Sequence, residues 1–257
     1  MENVFMQALL IAIWAGIAGV DMFDGLTHIH RPIVTGLVVG LILGDMKTGL
    51  IVGGTLELVW MGMVPLAGAQ PPNVVIGGII GTSIAILGKL EPQAAIGIAV
   101  PFAVAAQAGI TLLFTAFSPI MHTADKYAEE ANTKGIDKIN YLGMAILFVS
   151  YFICAFLPIY FGADKAAAIV AMIPEKFIGG LGVAGGMMPA IGFAMLLRVM
   201  FKKEYMAFLI GGFVLVAYLQ IPILALALIG LAIAMYDYYL KSSQPVQVVK
   251  EEYEDGI

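Results

Sequence analysis

A chain of 257 residues, 61% hydrophobic and 12% charged, holds roughly half the charge of an ordinary soluble domain. Its mean hydropathy of +0.96 and several apolar runs near the ~20 residues that cross a bilayer make it an all-α, polytopic helical membrane protein; the alternating segments of a transmembrane barrel are not seen. The net charge of −5 and the lone cysteine, Cys154, exclude a nucleic-acid partner, an intramolecular disulfide and a cysteine-built metal site.

The first apolar run, 4–20, follows Met-Glu-Asn. Without a basic n-region it is expected to remain as a span, not to be cleaved as a signal peptide. Next comes "VDMFDGLTHIHRPIV" (20–34), which gathers two aspartates, a threonine, two histidines and an arginine within eleven residues. A continuous helix would set Asp21, Asp24, His28 and Arg31 on one stripe. Gly25 and Pro32 favour a broken helix instead. Asp24, His28, His30 and Arg31 supply the mixed donors and acceptors that a polyhydroxylated solute requires. They can equally satisfy one another, or form a polar loop at the membrane surface. Their spacing matches no recognised metal motif.

The following run, 32–44, has 13 residues, and a later one, 74–88, has 15. Such lengths suit half-helices and re-entrant hairpins, which need cover from protein or a wet cavity. Glycines at spacing four (36, 40, 44; 49, 53; 77, 81) predict close helix packing. Glu57 stands near the middle of "GLIVGGTLELVWMGMVPLAG" (49–68). A carboxylate there costs at least ~2–3 kcal/mol and is expected to face an interior pathway. On a helix it shares a face with Gly53 and Gly49. It reads as an acid that another element or a ligand can approach closely, as a proton carrier, or as a buried acid held by a hydroxyl or histidine.

In "GAQPPNVV" (68–75), Gln70 and Asn73 flank a Pro-Pro pair that ends any helix. Their amides suit a sugar, and Asn73 suits an acetamide; a plain interfacial turn is the other reading. The stretches 41–54 and 85–98 share an apolar–Gly–charged-turn–apolar layout, a faint internal repeat of the kind transporters contain. Gln107, inside the run 94–121, reads as helix–helix glue. The polar stretch 122–140 is expected to be a solvated connector, with an amphipathic surface helix as one form of it. Apolar runs at 141–162, 177–200, 205–219 and 222–240 complete the membrane-embedded domain, 1–241. Arg198, Lys202 and Lys203 cluster on what is expected to be the cytoplasmic side. The acidic tail, 242–257, is expected there too. No phosphate-cradling loop, catalytic triad or metal motif is present, so no catalytic residue, metal or cofactor is expected.

"HRP" (30–32), "GDMKTG" (44–49), "GGTLE" (53–57), "ADK" (124–126) and "AGGMMPAIGFAMLLR" (184–198) follow one another along the chain. This ordered set resembles the IIC subunit of the mannose-family sugar phosphotransferase system, over nearly the whole length. "AQPPN" and the acidic tail ending in Gly-Ile resemble its N-acetylgalactosamine branch. The resemblance implies a multi-pass subunit of the bacterial inner membrane, surrounded by lipid, that pairs with a IID membrane subunit and assembles as trimers of IIC–IID pairs. It implies soluble IIA and IIB phosphocarriers that relay phosphoryl groups from phosphoenolpyruvate to the sugar on entry, and an elevator-like shift that carries the sugar. The chain itself would be a permease subunit and not an enzyme. The polar knot and the Glu57 segment would then form two walls of one sugar site. His28 stands where mannose-type members look amide-bearing, so specificity and packing are both open to it. An ion-coupled transporter using Glu57 as proton carrier, and a scaffold for the partner subunit, are the alternatives.

Overall fold

The computed structural model describes residues 2–61, 63, 71–162 and 174–242, and the chain divides into two compact units, Met1–Val199 and Met200–Ile257. The first unit contains α1 (Glu2–Val20), a π-turn (Asp21–Gly25), α2 (Pro32–Leu43), α3 (Met46–Trp60), α4 (Val74–Leu87), α5 (Pro92–Glu129) and α6 (Thr133–Gly162), and α7 (Glu175–Met200) runs to its end. The second holds a 3₁₀ turn (Lys203–Tyr205), α8 (Met206–Ala217) and α9 (Ile223–Ser242). No strand occurs among the described residues. The protein is therefore all-α, with four described helices long and apolar enough to cross a membrane: Val4–Gly25, Pro92–Glu129, Thr133–Gly162 and Ile223–Leu240.

α2, α3 and α4 have 12, 15 and 14 residues, or about 18, 22 and 21 Å, all short of the ~30 Å hydrocarbon layer. They pack on one another, and the long helices α1, α5 and α6 cover α4 from the remaining sides. α4 is buried on every side from Val74 through Ser83. It packs against α2, α3, α5 and α6, while α1 lies along α6.

α2 and α3 form a hairpin whose turn needs Gly44, held at φ +83° where a side chain would be strained. Asp45 caps α3, accepting hydrogen bonds from the Thr48 N–H (3.0 Å) and hydroxyl (2.6 Å). Those two bonds, the hydroxyl's first, hold its carboxyl below the ordinary carboxylate range. The glycine stripes meet face to face. A Cβ on Gly36 would lie 2.6 Å from the Gly49 carbonyl oxygen, and one on Gly53 would lie 2.5 Å from that of Pro32. A second hairpin, α4–α5, turns at Gly88–Glu91 with Lys89 at φ +50°. The shared layout of 41–54 and 85–98 thus marks the turns of two consecutive helical hairpins.

The polar stretch 122–140 departs from the expected connector. α5 continues to Glu129, the chain reverses through Ala131 at φ +53°, and α6 starts at Thr133. "ADKYAEE" is rich in strong helix formers, so the helix runs on into solvent before it ends. Elsewhere large apolar side chains such as Leu112, Phe161, Phe213 and Leu224 are exposed, the condition of helices whose solvent is lipid.

Candidate functional site

The knot is organised by an aspartate outside the expected ligand set. α1 widens into the π-turn, and Leu26 closes it in the left-handed region, donating its N–H to the Asp21 carbonyl oxygen (2.8 Å). Asp21, buried, folds its carboxylate over the loop that follows. Oδ1 accepts from the Thr27 N–H (2.7 Å) and hydroxyl (2.5 Å). Oδ2 accepts from the His30 N–H (3.3 Å) and faces His30 Nδ1 at 2.7 Å. His28 sits at φ +65°, exposed, its ring centred 5.6 Å from that of His30. Arg31 is extended, as a residue before proline should be, and Pro32 opens α2 at its first position.

Glu57 enters from the other wall. The glycine contact presses α3 against α2, and one turn beyond Gly53 the Glu57 side chain meets the start of α2. Arg31 Nε donates to Oε1 (2.6 Å), and a second guanidinium nitrogen pairs with the same oxygen. The Ile33 N–H, an orphan donor of the helix N-terminus, points to Oε2 at 3.4 Å. The carboxylate is held by a guanidinium and a helix end, where the sequence suggested a hydroxyl or histidine.

Between these walls lies a cavity of about 270 Å³, near the lower end of small-molecule pockets, roughly 300–1,000 Å³. His30, Arg31, Trp60, the Pro71–Pro72 turn, Gln107 and Phe23 line it. Trp60 donates its indole N–H to the Pro72 carbonyl oxygen (2.8 Å), which fixes the ring as one face. An aromatic plane beside a few convergent polar groups can grip the apolar and hydroxylated faces of a small polar solute.

The remaining expected ligands are placed elsewhere or left out. Asn73 comes to the same end of the bundle, but its side chain is fully buried and turned into the core. Its Oδ1 caps α4 by accepting from the Ile76 N–H (3.0 Å), and its Nδ2 donates to Gln107 Oε1 (3.2 Å) and the Tyr151 hydroxyl (2.6 Å). The helix start needs an acceptor, and that need takes the amide away from the cavity. Gln107, expected as glue, both meets Asn73 and lines the cavity. Asp24 is exposed and lines a second cavity of about 560 Å³ with Phe114, Phe117, Ser118 and Asn140. Phe23 borders both cavities and meets Phe114 edge to face at 5.0 Å. Gln70 lies outside the described residues. Among the described residues no three His, Cys, Asp or Glu side chains group as a metal site.

Asn73→Ala removes a cap and leaves two buried groups short of a partner. It is expected to lower stability by roughly 1–3 kcal/mol, read as an earlier thermal unfolding of the detergent-solubilised protein. An unchanged transition would show that this network is not structural.

Residues 5–236 match the family model of the sorbose-specific IIC component of the phosphotransferase system. The chain is 38% identical to "N-acetylgalactosamine permease IIC component 1" of Escherichia coli (strain K12), an alignment covering 100% of this chain and 99% of that one. A solved structure described as a membrane protein matches with TM-score 0.79 at 33% identity, covering 91% of this chain and 95% of that one. The cryo-EM structure of the mannose transporter ManYZ in complex with microcin E492 matches with TM-score 0.55 at 32% identity, over the same shares.

Proposed function

This chain belongs to the sorbose-type IIC components of the mannose-family sugar phosphotransferase system, and from that premise we propose that it imports N-acetylgalactosamine by group translocation. The observation that carries the reading is the cavity walled by His30, Arg31 and Trp60, with Glu57 locked to Arg31 behind it. The relative named for N-acetylgalactosamine supports the choice of sugar. Arg31, on the cavity wall, offers donors to a ring of hydroxyl groups, and Glu57, which does not itself line the cavity, holds the guanidinium in place. His30, Arg31 and Glu57 form the core of the proposed site. Asp24 and His28, both exposed, are proposed as outer contacts and Gln70 as a further sugar ligand, while Asn73 acts through the α4 cap.

In this reading the chain lies in the bacterial inner membrane with its 242–257 tail in the cytoplasm. It works beside a IID membrane subunit in trimers of pairs, and the match to the ManYZ transporter structure supports a two-component membrane unit. Separate IIA and IIB proteins carry the phosphoryl group, and IIB passes it to the sugar as it arrives. The chain serves as the permease, and its own histidines stay unphosphorylated.

Membrane vesicles test this directly. Uptake of N-acetylgalactosamine is expected only when phosphoenolpyruvate and the soluble carriers are inside, with the phosphorylated sugar as product and no phosphohistidine on this chain. Uptake of free sugar driven by an ion gradient alone would overturn it, as would a stoichiometric phosphohistidine at His28, His30 or His122.

A further inference from the structure

Asp21 is buried and does not line the cavity, yet every hydrogen bond shown for its carboxylate ends on the loop that does. We infer that Asp21 is a positioning residue that sets the tautomer of His30, so that His30 Nε2 meets the cavity as an acceptor for one sugar hydroxyl. This rests on reading the cavity as the sugar site.

The chemistry of the donors decides the tautomer. Backbone N–H groups can only donate, so Oδ1 facing the Thr27 N–H and Oδ2 facing the His30 N–H are both acceptors. The Thr27 hydroxyl donates to Oδ1 as well. A carboxylate so surrounded has no hydrogen to offer, and the ring nitrogen 2.7 Å from Oδ2 must carry its own. With the proton on Nδ1, a neutral imidazole presents a lone pair at Nε2. That atom has no hydrogen-bond partner among the described residues, and it is not one of the buried orphan atoms, which are Trp14 Nε1, Thr82 Oγ1 and Ser83 Oγ. His30 lines the cavity. Arg31, on the same wall, already supplies the cation and brings donors alone. A polyhydroxylated solute laid against Arg31 needs an acceptor beside it, and Nε2 provides one. A carboxylate on the far ring nitrogen is the usual device for fixing an imidazole in this way.

Asp21→Asn changes the tautomer with little change of shape. Its amide oxygen keeps both Thr27 donors, while the NH₂ group in place of Oδ2 gives up the His30 N–H bond and faces His30 Nδ1. That nitrogen must accept, so the proton moves to Nε2, which turns from acceptor to donor. Thr27→Val loosens the same loop and leaves the carboxylate facing the imidazole.

The test uses the full chain with its partner membrane subunit in lipid nanodiscs and ¹⁵N-labelled histidine. The chain has three histidines, and His30→Gln identifies the His30 signals. Wild type and Thr27→Val are expected to show neutral His30 protonated at Nδ1, and Asp21→Asn to show it at Nε2. Binding of N-acetylgalactosamine is then compared with binding of its monofluoro-deoxy analogues, in which fluorine cannot donate. Wild type and Thr27→Val are expected to disfavour one analogue by about tenfold or more, the cost of an unpaired buried acceptor. In Asp21→Asn that penalty is expected to fall within about threefold. A wild-type His30 protonated at Nε2, or at both nitrogens, overturns the inference without any variant. So does a folded Asp21→Asn protein that keeps the wild-type tautomer or the wild-type penalty. Failure of wild type to bind the sugar, with Nδ1 protonated, instead overturns the assignment of the sugar while the positioning role of Asp21 stands.

Discussion

Glu57→Gln is expected to leave membrane insertion intact and to lower sugar uptake at least about tenfold. Removing an intramembrane charge makes insertion easier, so the loss should appear in transport and not in expression. The wild-type carboxylate accepts from Arg31 Nε and a second guanidinium nitrogen, with the Ile33 N–H nearby. Glutamine keeps an acceptor but loses the charge, and its NH₂ group confronts the donors on Arg31 or the one on α2, whichever way the amide turns. Hydrogen bonds to charged groups contribute about 1.5–3 kcal/mol, and 1.4 kcal/mol is already tenfold. The loss is set at the lower end of that range because both side chains remain 21–30% exposed. Arg31→Gln should cost a similar amount, and the double variant little more than either, since both act through one pair. Sugar uptake normalised to membrane expression measures all three. Normal uptake in Glu57→Gln would remove the pair from the transport site.

A second large effect is expected from a single methyl group. Gly36→Ala puts a Cβ 2.6 Å from the Gly49 carbonyl oxygen and 2.8 Å from the Gly53 Cα. Both obstacles are backbone and cannot rotate aside, so α2 and α3 must separate. Overpacking of this kind costs about 1–3 kcal/mol and occasionally more. The separation also draws Arg31 away from Glu57, so stability and uptake should fall together. Gly54, one residue beyond the contact on α3, has open space, with nothing within 4 Å of where a methyl group would sit. There the same substitution is expected to be neutral, or stabilising by up to ~1 kcal/mol through helix propensity. Thermal unfolding by fluorescence-detected size exclusion separates the two. Equal transitions in Gly36→Ala and Gly54→Ala would show that the hairpin does not depend on glycine contact.

Much of the architecture was already legible in the chain. Hydropathy and run length alone determined an all-α membrane protein, because lipid leaves only the helix and the closed barrel to satisfy the backbone. The brevity of 32–44 and 74–88 foretold helices shorter than the hydrocarbon layer is thick. Gly25 and Pro32 foretold the break after α1, and glycines at spacing four foretold the close α2–α3 packing. All of these are local properties, read within a turn or two of the helix. Five ordered motifs carried the family.

Only the tertiary structure decided which side chains meet. Arg31 and Glu57 are 26 residues apart, and no spacing rule pairs them. They meet because Gly36, Gly49 and Gly53 let two backbones touch, which sets the height of Glu57 against the start of α2. Asn73 sits beside its prolines as a solute ligand would, yet α4 begins at the next residue and the otherwise unpaired Ile76 N–H of its first turn claims the amide oxygen. Asp21 looked like one member of a polar stripe until the π-turn folded the loop back over it. In each case the sequence names a group that must be satisfied, and the crossing of helices chooses the partner.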